Sequence, residues 1–292
     1  MERYRDIIPE FDRFKNVIHT PQPYDIRVNT IKSSISEIKD ILKQDEQVFE
    51  QSEWNDNFLK VNFEPGKNIL HWLGKYHVQE SVSGIPPFIL NPEPGERVVD
   101  ICAAPGSKTT QMSAFMGNTG EILANDIQRN RIRSLLSNIS RLGCVNVQVF
   151  ERDGRNLPEK SKFDKVLVDA PCSAEGNARK NSDLIYGADM DVITKLSKLQ
   201  ENLLEKAFRL CKNGGTIVYS TCTFAPEENE VVVSKFLDYG KLEKPDFNFP
   251  HSSGITEWNN MELENELEKC IRVYPHQLDS GGIFVAKFKK TS

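Results

Sequence analysis

Two cysteines lie in contexts that suit covalent chemistry. Cys172 stands in the segment DAPCS and Cys222 in the segment STCTF. Each segment follows an apolar run that predicts a buried strand, so both thiols are expected just past strand carboxyl ends. Adjacent parallel strands lie about 5 Å apart, and two thiols at one rim can therefore face one small site. Loops at that rim are functional surface, which weakens the alternative that either cysteine is a packed core residue.

A turn of small residues, DICAAPGSK at residues 100–108, stands where a predicted strand leads into a helix. Ligands bind at such turns in open α/β sheets, because small residues admit a cofactor to the backbone and helix amides favour anionic groups. A nucleoside-triphosphate loop needs Gly-Lys-Ser/Thr, whereas the order here is Gly-Ser-Lys-Thr. A dinucleotide fingerprint needs three glycines, and only Gly106 is present. S-adenosylmethionine remains as the cofactor expected at this turn.

Acidic residues follow successive strands in the positions that this cofactor would use. Asp126 stands after the second strand, where a carboxylate can hold ribose hydroxyls, and Asp153 stands after the third, where it can meet the adenine amino group. Asp169 follows the fourth strand. A single loop aspartate is often only a cap or a turn former, but three at successive strand ends point more specifically to S-adenosylmethionine.

A thiolate in a methyl-transfer site would activate a pyrimidine carbon. Carbon-5 of a pyrimidine is a poor nucleophile, but addition of a thiolate to carbon-6 makes it an enamine-like carbon that can attack a sulfonium methyl. The carbon-5 proton is then removed and the cysteine eliminated, so that one difficult step becomes two easier ones. Methylation of an exocyclic nitrogen would instead want a polar-Pro-Pro-aromatic segment after the fourth strand, and DAPC does not have that form.

The elements that position these residues alternate between strand and helix. Strands are predicted at residues 97–101, 121–125, 145–150, 165–168, 216–219, 271–274 and 283–288, the last two bridged by residues 279–282. Helices are predicted at residues 107–116, 128–142 with Gly143 as C-cap, and 191–210, where Gly214-Gly215 ends the helix. This alternation predicts an α/β fold, a doubly wound, mostly parallel, Rossmann-like sheet of seven strands with an antiparallel C-terminal edge. A small N-terminal α/β module is expected over residues 1–82, with a strand from Ile26 and a helix capped by Ser34 or Ser36, and the catalytic domain over residues 83–292.

Several blocks of the chain resemble the Nop/Sun family of RNA (cytosine-5) methyltransferases. They are DICAAPGSK, DAPCSAEG, YSTCTFAPEENE and YPHQLDSGGIFVAKF, preceded by IRVNTIK and VQESVSGIPPFILNPEPGERVVD, which are similar to that family's N-terminal module and its junction. The resemblance runs from about Ile26 to Phe288 and includes both cysteine motifs in order. It implies an S-adenosylmethionine-dependent enzyme that methylates carbon-5 of cytosine in RNA.

The resemblance also implies roles for individual residues. Cys222 would attack carbon-6, Cys172 would assist release of the product, and Asp169 and Lys108 would contact the target base. A carboxylate that holds the cytosine amino group would disfavour uracil, which leaves a buried group unpaired. The implied cofactor pocket consists of Cys102, Ala103, Ala104, Pro105, Gly106, Ser107, Lys108, Asp126, Arg131, Asp153 and Asp169. From the residues alone, packing remains the better interpretation of Cys102, and Lys108 could be an exposed first-turn lysine.

The choice of substrate rests on finer features. Ser107 and Ala174 replace glycines that are common in the family, whereas Glu175-Gly176 and Arg179-Lys180 resemble its archaeal and eukaryotic branches more than the bacterial ribosomal-RNA enzymes. No pseudouridine-synthase-associated RNA-binding domain is expected within 292 residues, and this short form is similar to archaeal enzymes that act on transfer RNA. A ribosomal-RNA enzyme and a non-catalytic assembly factor remain the alternatives. A DNA cytosine methyltransferase is not expected, because the interval from Cys172 to Cys222 has no room for a target-recognition insertion.

Composition bounds the partners. The chain has 37 Lys and Arg against 42 Asp and Glu, a net charge of −5, and neither a basic tail nor an apolar run of the length needed for a membrane span or a secretory signal. We therefore expect a cytoplasmic protein with no membrane partner. Its six cysteines include no C-x-x-C pair, so neither a metal site nor a disulfide is expected, and Cys144, Cys211 and Cys270 are expected to be structural.

Net acidity argues mildly against a nucleic-acid partner, so RNA contact would have to come from local patches. Arg179-Lys180 is the favoured RNA candidate, and Arg129, Arg133 and Arg141 are expected to form a solvated helix face. The N-terminal module offers basic residues interleaved with aromatic ones, for most of which packing is the favoured use. These are Arg27, Lys32, Lys60, Lys67 and Lys75, with Phe58, Phe63, Trp72 and Tyr76.

Overall fold

The computed structural model describes residues 1–291. Its N-terminal part is built on an antiparallel four-stranded sheet in the order β2-β3-β1-β4. The strands are β1 (Tyr24–Val28), β2 (Phe49–Gln51), β3 (Phe58–Val61) and β4 (Tyr76–Val78), and the helices are α1 (Phe11–Ile18), α2 (Ile35–Gln44) and α3 (Ile69–Trp72). Ser34 caps α2 by accepting a hydrogen bond from the Glu37 amide, as predicted. Ile38 and Leu42 on α2 pack with Ile26 and Leu59 of the sheet to form a separate core.

The first eighteen residues pack against the C-terminal half of the chain. Phe14 of α1 meets Phe224 edge-on, with ring centroids 5.5 Å apart, and Tyr4 stacks on Trp258 at 6.1 Å. Tyr4 and Phe14 are fully buried in this contact. The N-terminal segment thereby lies close to the loop that follows Cys222.

The large sheet follows the predicted topology and has two more strands than predicted. Its order is β11-β14-β15-β9-β8-β5-β6-β7, with β10 beside β15, and strands β5 to β9 are parallel. The chain forms β5 (Arg97–Asp100), β6 (Glu121–Asp126), β7 (Val147–Glu151), β8 (Phe163–Asp169), β9 (Cys211–Thr221), β10 (Gly240–Leu242), β11 (Ser252–Ser253), a hairpin of β12 (Glu257–Trp258) and β13 (Met261–Glu262), β14 (Ile271–Val273) and β15 (Ile283–Lys290). The extra strands β10 and β11 extend the antiparallel edge, and at two or three residues they are too short to show an alternating pattern in sequence.

Helices cover both faces of this sheet. They are α4 (Ile85–Leu90), α5 (Ser107–Phe115), α6 (Arg129–Leu142), α7 (Met190–Leu210), α8 (Glu230–Ser234) and α9 (Pro275–Leu278). Gly143 ends α6 in the left-handed conformation at φ 78°, which confirms the predicted cap. The prediction that Gly214-Gly215 ends α7 is wrong, because α7 passes into β9 at Cys211 and both glycines lie inside that strand. A Cβ on Gly215 would lie 2.5 Å from the Cys211 sulfur, so the irregular start of β9 requires glycine there.

The core lies on both sides of the central strands. Leu204 and Phe208 of α7 pack on one face, and Ile85 of α4 and Met112 of α5 pack on the other. Burial on both faces explains why these strands are uninterrupted apolar runs. The carboxyl ends of β5, β6, β8 and β9 meet at one rim, where the candidate residues lie. Among residues 1–291, no helix combines the length and apolar character needed to cross a membrane.

Candidate active site

The two cysteines predicted to share a site are in contact. β8 and β9 pair with Asp169 beside Ser220, which places the loops that follow them side by side. The Cys172 and Cys222 sulfurs are 3.2 Å apart, and the Cys222 backbone amide donates to the Cys172 sulfur at 3.3 Å. Both residues are only partly buried, whereas Cys144, Cys211 and Cys270 are buried in the core, as expected of structural cysteines.

The two thiols differ in acidity. The hydrogen bond from Cys172 lowers the pKa of Cys222, and the nearby Lys108 ammonium lowers it further, against the opposing effects of burial and Asp169. The same hydrogen bond, together with burial, raises the pKa of Cys172. Cys222 is therefore the thiol that ionises first. A thiolate is the nucleophilic form of cysteine.

A partly buried ion pair lies beside the thiols. The Lys108 ammonium contacts the Asp169 carboxylate at 2.7 Å and donates to the Ser83 hydroxyl at 3.2 Å, while the Ser220 hydroxyl donates to the other Asp169 oxygen at 2.9 Å. The alternative of an exposed lysine is wrong, since 13% of the Lys108 side chain is accessible. Burial lowers the pKa of Lys108, but the charge and hydrogen bond of Asp169, together with the Cys222 and Asp100 charges, outweigh burial and hold this pKa above its ordinary value.

A cavity of about 470 Å³ runs along the rim and ends at the thiols. Five of the residues predicted for the cofactor pocket line it, namely Cys102, Asp126, Arg131, Asp153 and Asp169, and so do Cys172 and Cys222. Within the described residues its lining includes none of Ala103, Ala104, Pro105, Gly106, Ser107 and Lys108. These residues belong to the turn that leads from β5 into α5, in which the Ala104 amide donates to Asp126 at 3.1 Å. A direct contact between them and the cofactor stays a prediction.

The chemistry of this cavity fits S-adenosylmethionine. The Asp126 carboxylate is oriented by the Ala104 and Gln128 amides and can accept from a ribose diol. Asp153, whose pKa the hydrogen bond from Arg155 lowers, is an ionised acceptor for an amino group. Ile127 and Leu203 also line the cavity and supply apolar walls for a flat base.

Comparison with known proteins identifies the family. A family model described as 16S rRNA methyltransferase RsmB/F matches residues 87–289, more than half of the chain. The chain belongs to this methyltransferase family. It is an S-adenosylmethionine-dependent enzyme of the RNA (cytosine-5) methyltransferase class, and the sequence-based resemblance is confirmed.

Individual relatives agree with this assignment. The tRNA (cytosine(49)-C(5))-methyltransferase of Pyrococcus abyssi is 37% identical over 99% of this chain and 95% of its own length. Ribosomal RNA small subunit methyltransferase F of Erwinia tasmaniensis is 33% identical over the whole chain, which spans only 63% of that relative. A methyltransferase homologue from Pyrococcus horikoshii superposes with a TM-score of 0.89 at 34% identity, covering 99% of this chain and 93% of its own. NSun6 from the same organism, solved with the S-adenosylmethionine analogue SFG, gives 0.87 at 25% identity over 100% and 97%.

A buried polar network of the methyltransferase, which the sequence pattern does not reveal, joins the two cysteine loops. Glu228 is fully buried and accepts from the Ser173 amide at 3.0 Å and from Gln200 at 2.7 Å. The Ser173 and Thr223 hydroxyls, each next to a site cysteine, are 2.6 Å apart. Burial raises the pKa of Glu228. The acidic run EENE after Cys222 was visible in the sequence, but only the structure shows that Glu228 points inward.

The network continues to the N-terminal segment. Glu175 accepts from Thr223 at 3.1 Å and from the Tyr4 hydroxyl at 2.7 Å, so the first turn of the chain is tied to the loops that carry the thiols. Farther along the same motif, the Asn229 side-chain amide donates to the Thr223 carbonyl at 3.0 Å. These hydrogen bonds hold both cysteine loops in place, while Cys172 and Cys222 line the cavity.

Three of the arginines named above have structural roles. The prediction that Arg179 faces RNA is wrong, because 2% of its side chain is accessible and it donates to Asp279 at 2.9 Å and to the Pro21 carbonyl at 2.8 Å. Arg141 does not lie on a solvated face, since it donates to the His71 carbonyl and to the His77 ring. Arg27 is 3% exposed and donates to the Ser107 carbonyl.

The remaining basic and aromatic candidates divide between packing and surface. Phe58 and Tyr76 are buried, which confirms packing, whereas Trp72 is 68% exposed. Lys180 is half exposed and pairs with Glu80, while Lys67 is among the most exposed of the paired cations. Lys60 and Lys75 form ion pairs, and Lys32 donates to backbone carbonyls.

Proposed function

We propose that this protein methylates carbon-5 of cytosine in transfer RNA through a covalent bond between Cys222 and carbon-6 of the base. The observation that carries the proposal is the contact of two thiols of unequal acidity at the end of the cofactor cavity, beside the Lys108–Asp169 pair. A site that only bound RNA would have no use for a thiol whose pKa is lowered.

In the proposed reaction the Cys222 thiolate adds to carbon-6, and the electron pair of the carbon-5–carbon-6 double bond makes carbon-5 nucleophilic. S-adenosylmethionine supplies the methyl group as an electrophilic sulfonium. Asp169, held in place by Ser220 and Lys108, can accept from the cytosine amino group. Uracil presents a carbonyl there, so the base would offer the carboxylate an oxygen instead of a hydrogen-bond donor in a partly buried site.

Cys172 has a separate part in product release. Its raised pKa keeps it protonated, so its thiol can donate to the Cys222 sulfur 3.2 Å away. After the carbon-5 proton is removed, the carbon–sulfur bond breaks and its electron pair returns to Cys222. A hydrogen bond to the departing sulfur stabilises it as a thiolate, and a leaving thiol of lower pKa leaves faster.

Transfer RNA is favoured over ribosomal RNA by the identity of the relatives. The archaeal relative named for a transfer RNA position is 37% identical over 99% of this chain, whereas the bacterial ribosomal-RNA relative is 33% identical. We further propose that residues 1–82 contribute to RNA binding, with the exposed Lys67 and Trp72 as the candidates that the fold leaves available.

The test is to incubate the protein with S-adenosylmethionine and total RNA that lacks modifications, and to locate 5-methylcytosine by bisulfite sequencing. We expect methylation at a cytosine of transfer RNA and none with Cys222→Ala. Methylation of ribosomal RNA alone would show that the proposed substrate is wrong and that the proposed reaction is right. No 5-methylcytosine in either RNA would refute the proposed function.

A further inference from the structure

The Cys222 sulfur has a second polar neighbour besides Cys172. The side-chain amide nitrogen of Asn177 lies 3.3 Å from it. Asn177 ends the short 3-10 turn Glu175–Asn177, which follows the Cys172 loop directly. Both hydrogen-bond donors to the Cys222 sulfur therefore come from the segment after β8, which carries Cys172 and Asn177.

The backbone around Asn177 is shaped to bring this amide close. The Gly176 amide donates to the Cys222 carbonyl at 2.8 Å, and the Gly176 carbonyl accepts from Gly282 at 2.9 Å. A Cβ on Gly176 would lie 2.9 Å from the Cys222 carbonyl oxygen and 2.5 Å from that of Gly282, so only glycine allows this approach. The turn is thus clamped between the Cys222 loop and the start of β15.

We propose that Asn177 is a catalytic residue whose side-chain amide donates a hydrogen bond to the Cys222 sulfur and stabilises it as a thiolate. This inference rests on the proposed function for its place in the reaction. In attack, the Cys222 thiolate forms the bond to carbon-6. In release, that bond breaks and the electron pair returns to the sulfur, and Asn177 faces the sulfur in both steps.

The other groups that act on this sulfur do not replace the amide. Lys108 favours the thiolate, but its ammonium contacts Asp169. Asp169 and Glu80 disfavour the thiolate by their charge, and Cys172 is the remaining donor. Asn177 adds a donor that carries no charge and does not titrate, so it stabilises the thiolate throughout the working pH range.

The test measures the pH dependence of alkylation of Cys222 by iodoacetamide, resolved at the level of the cysteine peptide by mass spectrometry. Asn177→Ala should move the midpoint for Cys222 upward by about one pH unit, the effect of one hydrogen bond to a charged sulfur. Asn177→Asp, of nearly the same size, should move it at least as far, because a carboxylate repels the thiolate. Asn202→Ala, which removes an amide that binds the Lys198 carbonyl on α7, is the matched control and should leave the midpoint unchanged.

Midpoints for both Asn177 variants equal to that of the unaltered protein would overturn the inference. Asn177→Asp keeps the test decisive even where Asn177→Ala fails to fold. Alkylation needs neither RNA nor cofactor, so the inference can fail while methylation is observed, and the proposed function can fail while the midpoint shifts. When both hold, Asn177→Ala should lower kcat for methylation by about tenfold near pH 7 with little change in KM for RNA.

Discussion

At the scale of single residues, the site divides its labour between two thiols that are chemically alike but differently placed. Cys222 receives a hydrogen bond from Cys172 and lies near Lys108, and these lower its pKa, while the same hydrogen bond and burial raise the pKa of Cys172. Sequence motifs placed both thiols on one rim. Their unequal acidity depends on which neighbour donates to which sulfur, and only the folded chain determines that.

This division predicts opposite outcomes for the two alanine variants. Cys172→Ala should still form the bond to carbon-6 but release the base slowly, so a covalent protein–RNA complex should accumulate and turnover should fall by about 100-fold or more. Cys222→Ala should form no such complex. Denaturing gels with labelled RNA and S-adenosylmethionine measure it, and a complex formed only by Cys222→Ala would reverse the assignment.

A second residue, the buried Asp25 on β1, makes the stability of the protein depend on pH. It is 5% exposed, accepts from the Ser81 amide at 2.9 Å, and burial raises its pKa from 3.8 to about 6. Because the pKa is higher in the folded protein, ionisation of Asp25 destabilises the fold, fully above about pH 7 and not below about pH 4. Asp25→Asn should therefore raise the free energy of unfolding at pH 8 by on the order of 2 kcal/mol and change it little at pH 4.

Urea unfolding at the two pH values measures this difference. Asp40→Asn on the exposed side of α2 is the control, and it should not alter the pH dependence. If Asp25→Asn changed the free energy of unfolding by the same amount at both pH values, ionisation of Asp25 would not be what destabilises the fold.

At the scale of elements, the pattern of the sequence predicted the strands and helices that carry the site, and failed where an element is short or where a partner is distant. The continuous apolar runs of β5 and β8 and the period of α7 are local signals. Strand β11 is two residues long and shows no period, and Arg179 differs in sequence in no way from a surface arginine. Its role follows from a carboxylate and carbonyls that lie a hundred or more positions away in the chain.

The network beneath the cysteine loops makes a prediction at this scale. Glu228→Ala removes the acceptor shared by Ser173 on the β8 side and Gln200 of α7, and leaves buried donors unpaired. We expect a loss of about 2–4 kcal/mol in the free energy of unfolding. Glu228→Gln, which keeps an acceptor oxygen, should lose less, and denaturant titration distinguishes the two. Equal losses for both variants would show that volume, rather than hydrogen bonding, is what matters at this position.

At the scale of the whole molecule, the excess of acidic residues limits how strongly electrostatics can hold RNA, because much of the positive charge is already engaged within the protein. Arg27, Arg141 and Arg272 are engaged inside the fold, and many surface lysines pair with carboxylates. Because much of the positive charge is paired in this way, RNA affinity should depend weakly on salt, with a slope corresponding to about two to four contacts. Lys67→Ala should weaken binding to all RNAs alike and reduce that slope by about one.

Lys212→Ala is the matched control and should leave the slope unchanged. Lys212 pairs with Asp164 near the start of β8, at the end of the sheet opposite the thiols. Filter binding of transfer RNA across a salt series measures both variants, and an unaltered slope in Lys67→Ala would remove the N-terminal module's most exposed paired lysine from the RNA interface.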